Sequence, residues 1–200
     1  GIIHPGDVQW MTAGSGILHK EYHEENFSKQ GGDFEMAQIW VNLPKSHKMT
    51  PPKYQEVTGA NVAKVISPDG KSEVRVIAGN YNGTKGAAST FTPLNMFDIK
   101  LKAGGNLSFD IPTSHNTMLL VVEGSVKVNG SEAQIHDFVL FRDNAETVEI
   151  KTSEEAVVLV LSGEPIDEPI AQYGPVVRDT QQELMGAIDD FNAGKFVSLD

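Results

Sequence analysis

The feature that most constrains the fold is a series of short apolar runs between Gly104 and Leu161, separated from one another by glycine, asparagine or aspartate. Each run is too short for a helix and is rich in β-branched residues, so each predicts a strand. One separator is Asn129-Gly130, the dipeptide that two-residue hairpin turns favour. The predicted strands cover residues 118–122, 125–128, 138–141, 147–150 and 156–161. This region therefore predicts an all-β barrel or sandwich.

The preceding residues have the same character, which predicts two β units of similar type, the second of which opens at residues 62–66. Strands are expected at residues 8–11, 36–43 and 54–57, and further strands at 62–66 and 74–78 flank a Pro68-Asp69-Gly70 turn. Prolines at 44, 51 and 52 break regular structure, so residues 45–53 are predicted to be an exposed connector.

One helix is predicted, near the C-terminal end. Thr180 and Glu183 have the spacing of a capping box, and Gly194 provides a stop signal. Apolar residues recur at helical spacing at Leu184, Ile188 and Phe191. We expect this helix to place its apolar stripe against a sheet and protect an edge.

Composition excludes several classes of function. The chain has 16 basic and 27 acidic residues, a formal net charge of −11, which disfavours binding to nucleic acid. It has no cysteine, so histidine and carboxylate side chains are the available metal ligands. The sequence shows no apolar run long enough to span a membrane and no secretory signal. We therefore expect a soluble, cytoplasmic protein that does not bind membranes.

The strongest chemical signal is His19-Lys20-Glu21, which follows two glycine turns in residues 4–21. In an extended chain, residues two apart point to the same face, so His19 and Glu21 are candidate ligands of one cation. An isolated His-x-Glu is more often a pair of surface polar residues, and the surrounding sequence is needed to decide between these interpretations.

That surrounding sequence resembles the second conserved box of the cupins, with Gly6, Asp7, Gly14 and His19 at the characteristic positions. More specifically, Gly-Asp-Val-Gln-Trp-Met-Thr-Ala-Gly-x-Gly-Ile-Leu-His-x-Glu at residues 6–21 is very similar to the pirin family. Further matches to that family are found at residues 38–44, 54–56, 163–170 and 173–175. The resemblance extends over nearly the whole chain.

The resemblance implies a bicupin, two barrels of the double-stranded β-helix type, in which the N-terminal barrel binds a metal, usually iron, through three histidines and one glutamate. His19 and Glu21 match two of these ligands. The other two form a His-x-His upstream of the Gly-Asp turn, and the 200 residues contain no His-x-His. We therefore expect an incomplete first barrel at residues 1–57, a C-terminal cupin domain at residues 58–200, and weak binding of Fe2+ or another divalent metal.

Two hypotheses for function follow from the resemblance. The first is an iron-dependent quercetin 2,3-dioxygenase that acts on a flavonol, with Glu21 as the catalytic proton acceptor. The second is a non-enzymatic regulatory module that binds a protein partner in response to metal or redox state. Incomplete barrels expose unpaired strand edges, so a homo-oligomer or a protein partner is expected in either case.

The remaining histidines are interpreted as solvated or structural. His4 and His47 lie in predicted turn and connector segments, and His23 lies in an acidic run that predicts a solvated loop. His115 and His136 occupy the second β unit near positions where active cupins carry ligands, but no second histidine stands beside either. The second barrel is therefore expected to lack a metal.

Overall fold

The computed structural model describes residues 2–142 and 146–198. In chain order its elements are β1 (Val8–Thr12), β2 (Ile17–Leu18), α1 (Glu25–Gln30), a 3-10 helix (Lys45–His47), β3 (Lys53–Val57), β4 (Ala63–Ile66), β5 (Ser72–Ala78), β6 (Asn80–Tyr81), β7 (Thr84–Lys85), β8 (Leu94–Leu101), β9 (Asn106–Asp110), β10 (Asn116–Glu123), β11 (Val126–Val128), β12 (Ser131–Ala133), β13 (Phe138–Leu140), β14 (Thr147–Lys151), β15 (Ala156–Gly163), β16 (Ala171–Tyr173), β17 (Val176–Arg178), α2 (Gln181–Asn192) and β18 (Val197–Ser198). The predicted all-β architecture with a C-terminal helix is confirmed.

The chain forms two compact units. The first unit contains residues 2–4, 9–55 and 166–198, and the second contains residues 5–8 and 56–165. We expected residues 58–200 to form one domain, whereas the structure groups the segment after residue 165 with the first unit. No helix among the described residues is long and apolar enough to span a membrane.

The second unit is built from two antiparallel sheets. One sheet has the strand order β13-β10-β15-β8-β5-β4 and the other the order β12-β11-β14-β9. Alternate residues of these strands face a shared apolar core, which accounts for their period-two burial pattern. The most deeply buried core side chains include Val76, Phe97, Ile99, Leu119, Val121, Ile150, Val158 and Val160.

The predicted hairpin at Asn129-Gly130 is confirmed. It joins β11 to β12, and both turn residues have positive φ, 44° and 85°. A type I′ turn requires this conformation, which asparagine and glycine adopt at lower cost than other residues.

The Gly-Asp pair of residues 6 and 7 belongs to the second unit and forms hydrogen bonds with other residues of that unit. The backbone N–H of Gly59 donates to Asp7 Oδ1 at 2.6 Å. Arg75 on β5 donates to the Gly6 carbonyl oxygen and also to Asp98 on β8. The Arg75 and Asp98 side chains are 7% and 13% exposed, so the two strands share a nearly buried ion pair.

The first unit consists of short sheets and helices. β1 pairs with β3, β16 pairs with β17, and β2 pairs in parallel with β18. Helix α2 begins with the predicted capping box, in which Thr180 Oγ1 accepts from the Glu183 backbone N–H at 3.2 Å and Glu183 Oε2 accepts from the Thr180 N–H at 3.1 Å. Leu184 and Ala187 are its buried residues.

Three local predictions for the first unit were wrong. Residues 36–43 form no strand, because no partner strand lies beside them among the described residues, and Trp40 is 57% exposed. The acidic run around His23 predicted a solvated loop, but helix α1 forms there. The helix begins where the Glu24 side chain accepts a hydrogen bond from the Phe27 N–H. The connector at residues 45–53 was predicted to be exposed, but it contains a 3-10 helix, and Lys48, which follows that helix, is only 5% exposed.

The burial of Lys48 has a clear physical cause. Its ammonium group donates to Asn42 Oδ1 and to the Leu43 carbonyl oxygen, both at 2.7 Å, and lies 3.6 Å from Asp179 Oδ1. A buried charge requires such partners. Lys48 thus links the segment before the 3-10 helix to Asp179, which lies two residues before α2.

Candidate functional site

The glycine at position 14 helps to position the segment that carries His19 and Glu21. Gly14 has φ +53°, and a Cβ atom there would lie 2.0 Å from the Thr50 carbonyl oxygen. That oxygen accepts a hydrogen bond from the Ser15 N–H at 2.9 Å. Only glycine allows the backbone to approach this closely. The chain then enters β2, which ends at Leu18, directly before the candidate site.

The structure places His19 and Glu21 side by side, as their spacing predicted. His19 Nδ1 and Glu21 Oε1 are 3.8 Å apart, and the two side chains are 38% and 44% exposed. Nitrogen and oxygen ligands lie about 2.0 to 2.2 Å from a zinc-sized ion, so two of them can be up to about 4.2 Å apart in one coordination shell. The separation is therefore compatible with two ligands of one divalent cation.

Within the part of the chain that the structure describes, no third metal ligand joins this pair. The described residues contain no cluster of three histidine, cysteine, aspartate or glutamate side chains that could hold a metal. The nearby groups have structural contacts: the His23 ring packs against Phe27 and Phe34, with centroids 5.7 and 4.9 Å away. Backbone hydrogen bonds from Asn26 and Phe27 lower the pKa of Glu24. His19 and Glu21 alone therefore do not provide a complete coordination shell for a metal ion.

In the second unit, His115 takes part in a hydrogen bond with a neighbouring strand. Its Nδ1 lies 2.8 Å from Ser162 Oγ, and Ser162 is directly opposite Thr117 in the register of β10 and β15. Burial lowers the pKa of His115, and the negative charge of Glu164 opposes this effect. A neutral imidazole beside a hydroxyl is a structural pair.

Ser162 is a polar core residue that was not predicted. The signal was available in the alternation of β15, which buries Ala156, Val158 and Val160 and therefore predicts an inward side chain at position 162. Thr117, which lies opposite Ser162 in the strand register, is also buried.

Comparisons with known proteins agree with this architecture. The family model described as Pirin matches residues 1–41, and the model described as Pirin C-terminal cupin domain matches residues 96–197. A Pseudomonas aeruginosa protein named provisionally for quercetin 2,3-dioxygenase is 48% identical, over 98% of this chain and 69% of its own length. Pirin-1 of Arabidopsis thaliana is 37% identical, over 98% of this chain and 67% of its own length.

A solved structure shows the same fold. The crystal structure of quercetin 2,3-dioxygenase from Acinetobacter baumannii superposes with a TM-score of 0.94 at 44% identity, over 99% of this chain and 69% of that one. The expected cupin fold is therefore confirmed.

Proposed function

The chain belongs to the pirin family of cupin proteins, and on this basis we propose that it acts as a quercetin 2,3-dioxygenase whose iron is bound in part by His19 and Glu21. The observation that carries the proposal is the 3.8 Å approach of His19 Nδ1 to Glu21 Oε1. The similarity to relatives named for this activity supports a flavonol substrate.

The pair can divide the chemical work. A carboxylate has two oxygens, so one oxygen of Glu21 can act as a ligand while the other accepts the proton of a flavonol hydroxyl. His19, directly after β2, would occupy the neighbouring coordination position on the metal. The metal, when bound, would supply Lewis acidity toward the substrate oxygen and redox chemistry toward dioxygen.

Ligand number limits the activity of the 200-residue chain. One imidazole and one carboxylate leave most positions around iron to water, and the site is open to solvent because both side chains are more than one-third exposed. We infer that tight binding and efficient turnover need further ligands. The family's His-x-His would supply them.

A second candidate function is a protein-binding module that responds to metal or redox state. The segment between α1 and the 3-10 helix has no regular structure and exposes large apolar side chains. Phe34, Met36 and Trp40 are 58%, 52% and 57% exposed. Apolar surface of this kind is typical of sites that another protein covers.

Metal analysis and oxygen uptake test the first proposal. After anaerobic incubation with Fe(II) and removal of the excess, we expect the chain to retain little iron and to consume little oxygen with quercetin. A chimera that adds the unmatched part of the Acinetobacter baumannii chain should gain both properties. In the chimera, His19→Ala and Glu21→Gln should reduce iron and oxygen uptake, and Lys20→Ala, between them, should not.

Two results would contradict the proposal. Oxygen uptake by the chimera that neither His19→Ala nor Glu21→Gln reduces would show that the pair has no role. One tightly held iron per unmodified chain, lost on His19→Ala, would show that other residues complete the site. Metal-dependent capture of a protein partner without oxygen uptake would favour the second candidate.

A further inference from the structure

The sequence contains two Asn-Gly dipeptides, at residues 82–83 and 129–130, and both lie at the tip of a hairpin. Asparagine is a thermolabile residue. Its side-chain amide carbon can be attacked by the backbone nitrogen of the next residue, and glycine, which has no side chain, leaves this nitrogen the least hindered. Both asparagines are exposed, so exposure does not distinguish them. Their hydrogen bonds do.

The Asn129 side chain is held by the neighbouring strand β14. Its Nδ2 donates to the Thr147 carbonyl oxygen at 3.0 Å, and its Oδ1 accepts from the Glu149 N–H at 2.7 Å. The Asn129 backbone N–H also donates to the Glu149 carbonyl oxygen at 3.0 Å. Attack on the Asn129 amide carbon therefore requires the side chain to give up two hydrogen bonds.

The Asn82 side chain has no such restraint. It forms no hydrogen bond, ion pair or ring contact with any residue that the structure describes. Gly83 has φ +87°, and a Cβ there would meet no atom within 4 Å, so the turn projects into open space. In the described part of the chain β6 and β7 pair only with each other, whereas β11, which precedes Asn129, pairs with both β12 and β14. The turn at Asn82 is thus the less constrained of the two.

One contact restrains the nucleophile at this turn. The Gly83 N–H donates to Asn80 Oδ1 at 2.8 Å, so the nitrogen must leave this acceptor before it can attack. Reaction at Asn82 then breaks one hydrogen bond, and reaction at Asn129 breaks two.

The one Asp-Gly dipeptide, at residues 69–70, could form the same cyclic product but is also restrained. Asp69 Oδ1 accepts from Ser67 Oγ at 2.5 Å and from the Lys71 N–H at 3.0 Å. These hydrogen bonds, the one from Ser67 above all, lower the pKa of Asp69 and keep its carboxyl group ionised. A carboxylate anion is a poor target for a nucleophile, so Asp69 is protected.

We propose that Asn82 is a site of spontaneous deamidation, with the Gly83 nitrogen as the nucleophile once it leaves Asn80, and that the fold protects Asn129. The Gly83 nitrogen forms a bond to Asn82 Cγ, the Cγ–Nδ2 bond breaks, and Nδ2 leaves as ammonia with the proton that the Gly83 nitrogen loses. Water then opens the five-membered ring at either carbonyl carbon, which gives aspartate or isoaspartate. Water is the only co-reactant, and the reaction is independent of iron binding and of flavonol turnover.

The modification changes a hairpin that carries a core residue. Either product adds a negative charge at the turn, and isoaspartate also inserts one backbone carbon directly after Tyr81. Tyr81 is 3% exposed, and its ring packs against Phe97 and Phe109 with centroids 5.4 Å away in each case. Deamidation therefore alters the backbone next to this aromatic cluster.

Peptide mapping of the folded chain tests the proposal. After several days at mildly alkaline pH, the tryptic peptides of residues 76–85 and 128–142 report on Asn82 and Asn129 separately, and fragmentation distinguishes Asn82 from Asn80. We expect Asn82 to be converted faster than Asn129 by about two- to tenfold, the effect of one additional hydrogen bond to be broken at Asn129. The Asn82 product should contain both isoaspartate and aspartate.

Two controls separate the fold from the local sequence. In guanidinium chloride that unfolds the chain, the two sites should react at similar rates, because glycine follows the asparagine in both. Asn80→Ala removes the acceptor of the Gly83 N–H and should speed up conversion of Asn82 by about two- to tenfold. Asn129 is the internal control in this variant, since an unchanged rate there shows that the fold is intact.

The proposal is overturned if Asn129 is converted as fast as Asn82 in the folded chain. Aspartate without isoaspartate at Asn82 also overturns it, because direct hydrolysis of the amide by water gives only aspartate. An Asn82 rate that a folded Asn80→Ala variant leaves unchanged contradicts the role of the Gly83 nitrogen. The same preference for Asn82 in guanidinium chloride shows that the fold does not protect Asn129.

Discussion

The buried ion pair between β5 and β8 gives the sharpest prediction for stability. Arg75 and Asp98 lie directly opposite each other in the strand register. Arg75 is the ion partner of Asp98 Oδ2, and Asp98 Oδ1 is buried without any hydrogen-bond partner among the described residues. Arg75→Met leaves this carboxylate uncompensated, so the free energy of unfolding should fall by about 3 to 5 kcal/mol.

Replacing both partners should be much less harmful. Arg75→Met combined with Asp98→Leu leaves no buried charge, and apolar replacement of a buried pair is often neutral or stabilising. The double variant still loses the hydrogen bond from Arg75 to the Gly6 carbonyl, which is worth about 1.5 to 3 kcal/mol for a charged donor. We therefore expect a net loss in that range, well below the sum of the single variants.

Urea unfolding of the parent, the two single variants and the double variant measures this coupling. Lys64→Met is the control, because the Lys64–Glu73 pair joins the neighbouring strands at 3.6 Å but is 51% and 31% exposed. Its loss should change the free energy of unfolding by no more than about 1 kcal/mol. A loss below about 1 kcal/mol for Arg75→Met, or additive single effects, would refute this reasoning.

Three further predictions concern helix α2 and the second unit. Thr180→Ala removes a capping hydrogen bond and should lower the free energy of unfolding by about 1 kcal/mol in urea, with exposed Thr113→Ala as an unaffected control. Gly186→Ala, where a Cβ meets no atom within 4 Å, should raise that free energy by about 0.4 to 1 kcal/mol, and a loss would contradict it. Burial lowers the pKa of His115, so its neutral form favours folding and stability should fall as the pH decreases below about 6.5. His115→Gln should weaken this pH dependence in urea unfolding at pH 7.5 and 5.5, whereas an unchanged dependence would exclude His115 as its source.

The sequence predicted those parts of the fold that are determined by neighbouring residues. Asn129-Gly130 specifies its turn through backbone conformation, and Thr180 caps α2 by accepting a hydrogen bond from the Glu183 N–H, three residues away. His19 and Glu21 lie side by side, as expected for residues two apart that follow directly after a strand. In each case the cause lies within a few residues of its effect.

Long-range partners explain most of what was not predicted. Lys48 is buried because Asp179 comes to it from 131 positions along the chain, and the local sequence of lysines and prolines indicated only an exposed connector. Residues 36–43 have the composition of a strand, but a strand also needs a hydrogen-bonding partner. The inward position of Tyr81 depends on packing against Phe97 and Phe109, which no local pattern reveals.

The pairing of β2 with β18 can form only late in synthesis of the chain, because the two strands lie far apart in the sequence. Ile17 and Leu18 emerge from the ribosome early, yet their partners Val197 and Ser198 are among the last described residues to be made. The second unit, whose contacts close over residues 56–165, can fold while the ribosome is still translating. The segment around His19 therefore completes its pairing only after the whole second unit has been synthesised.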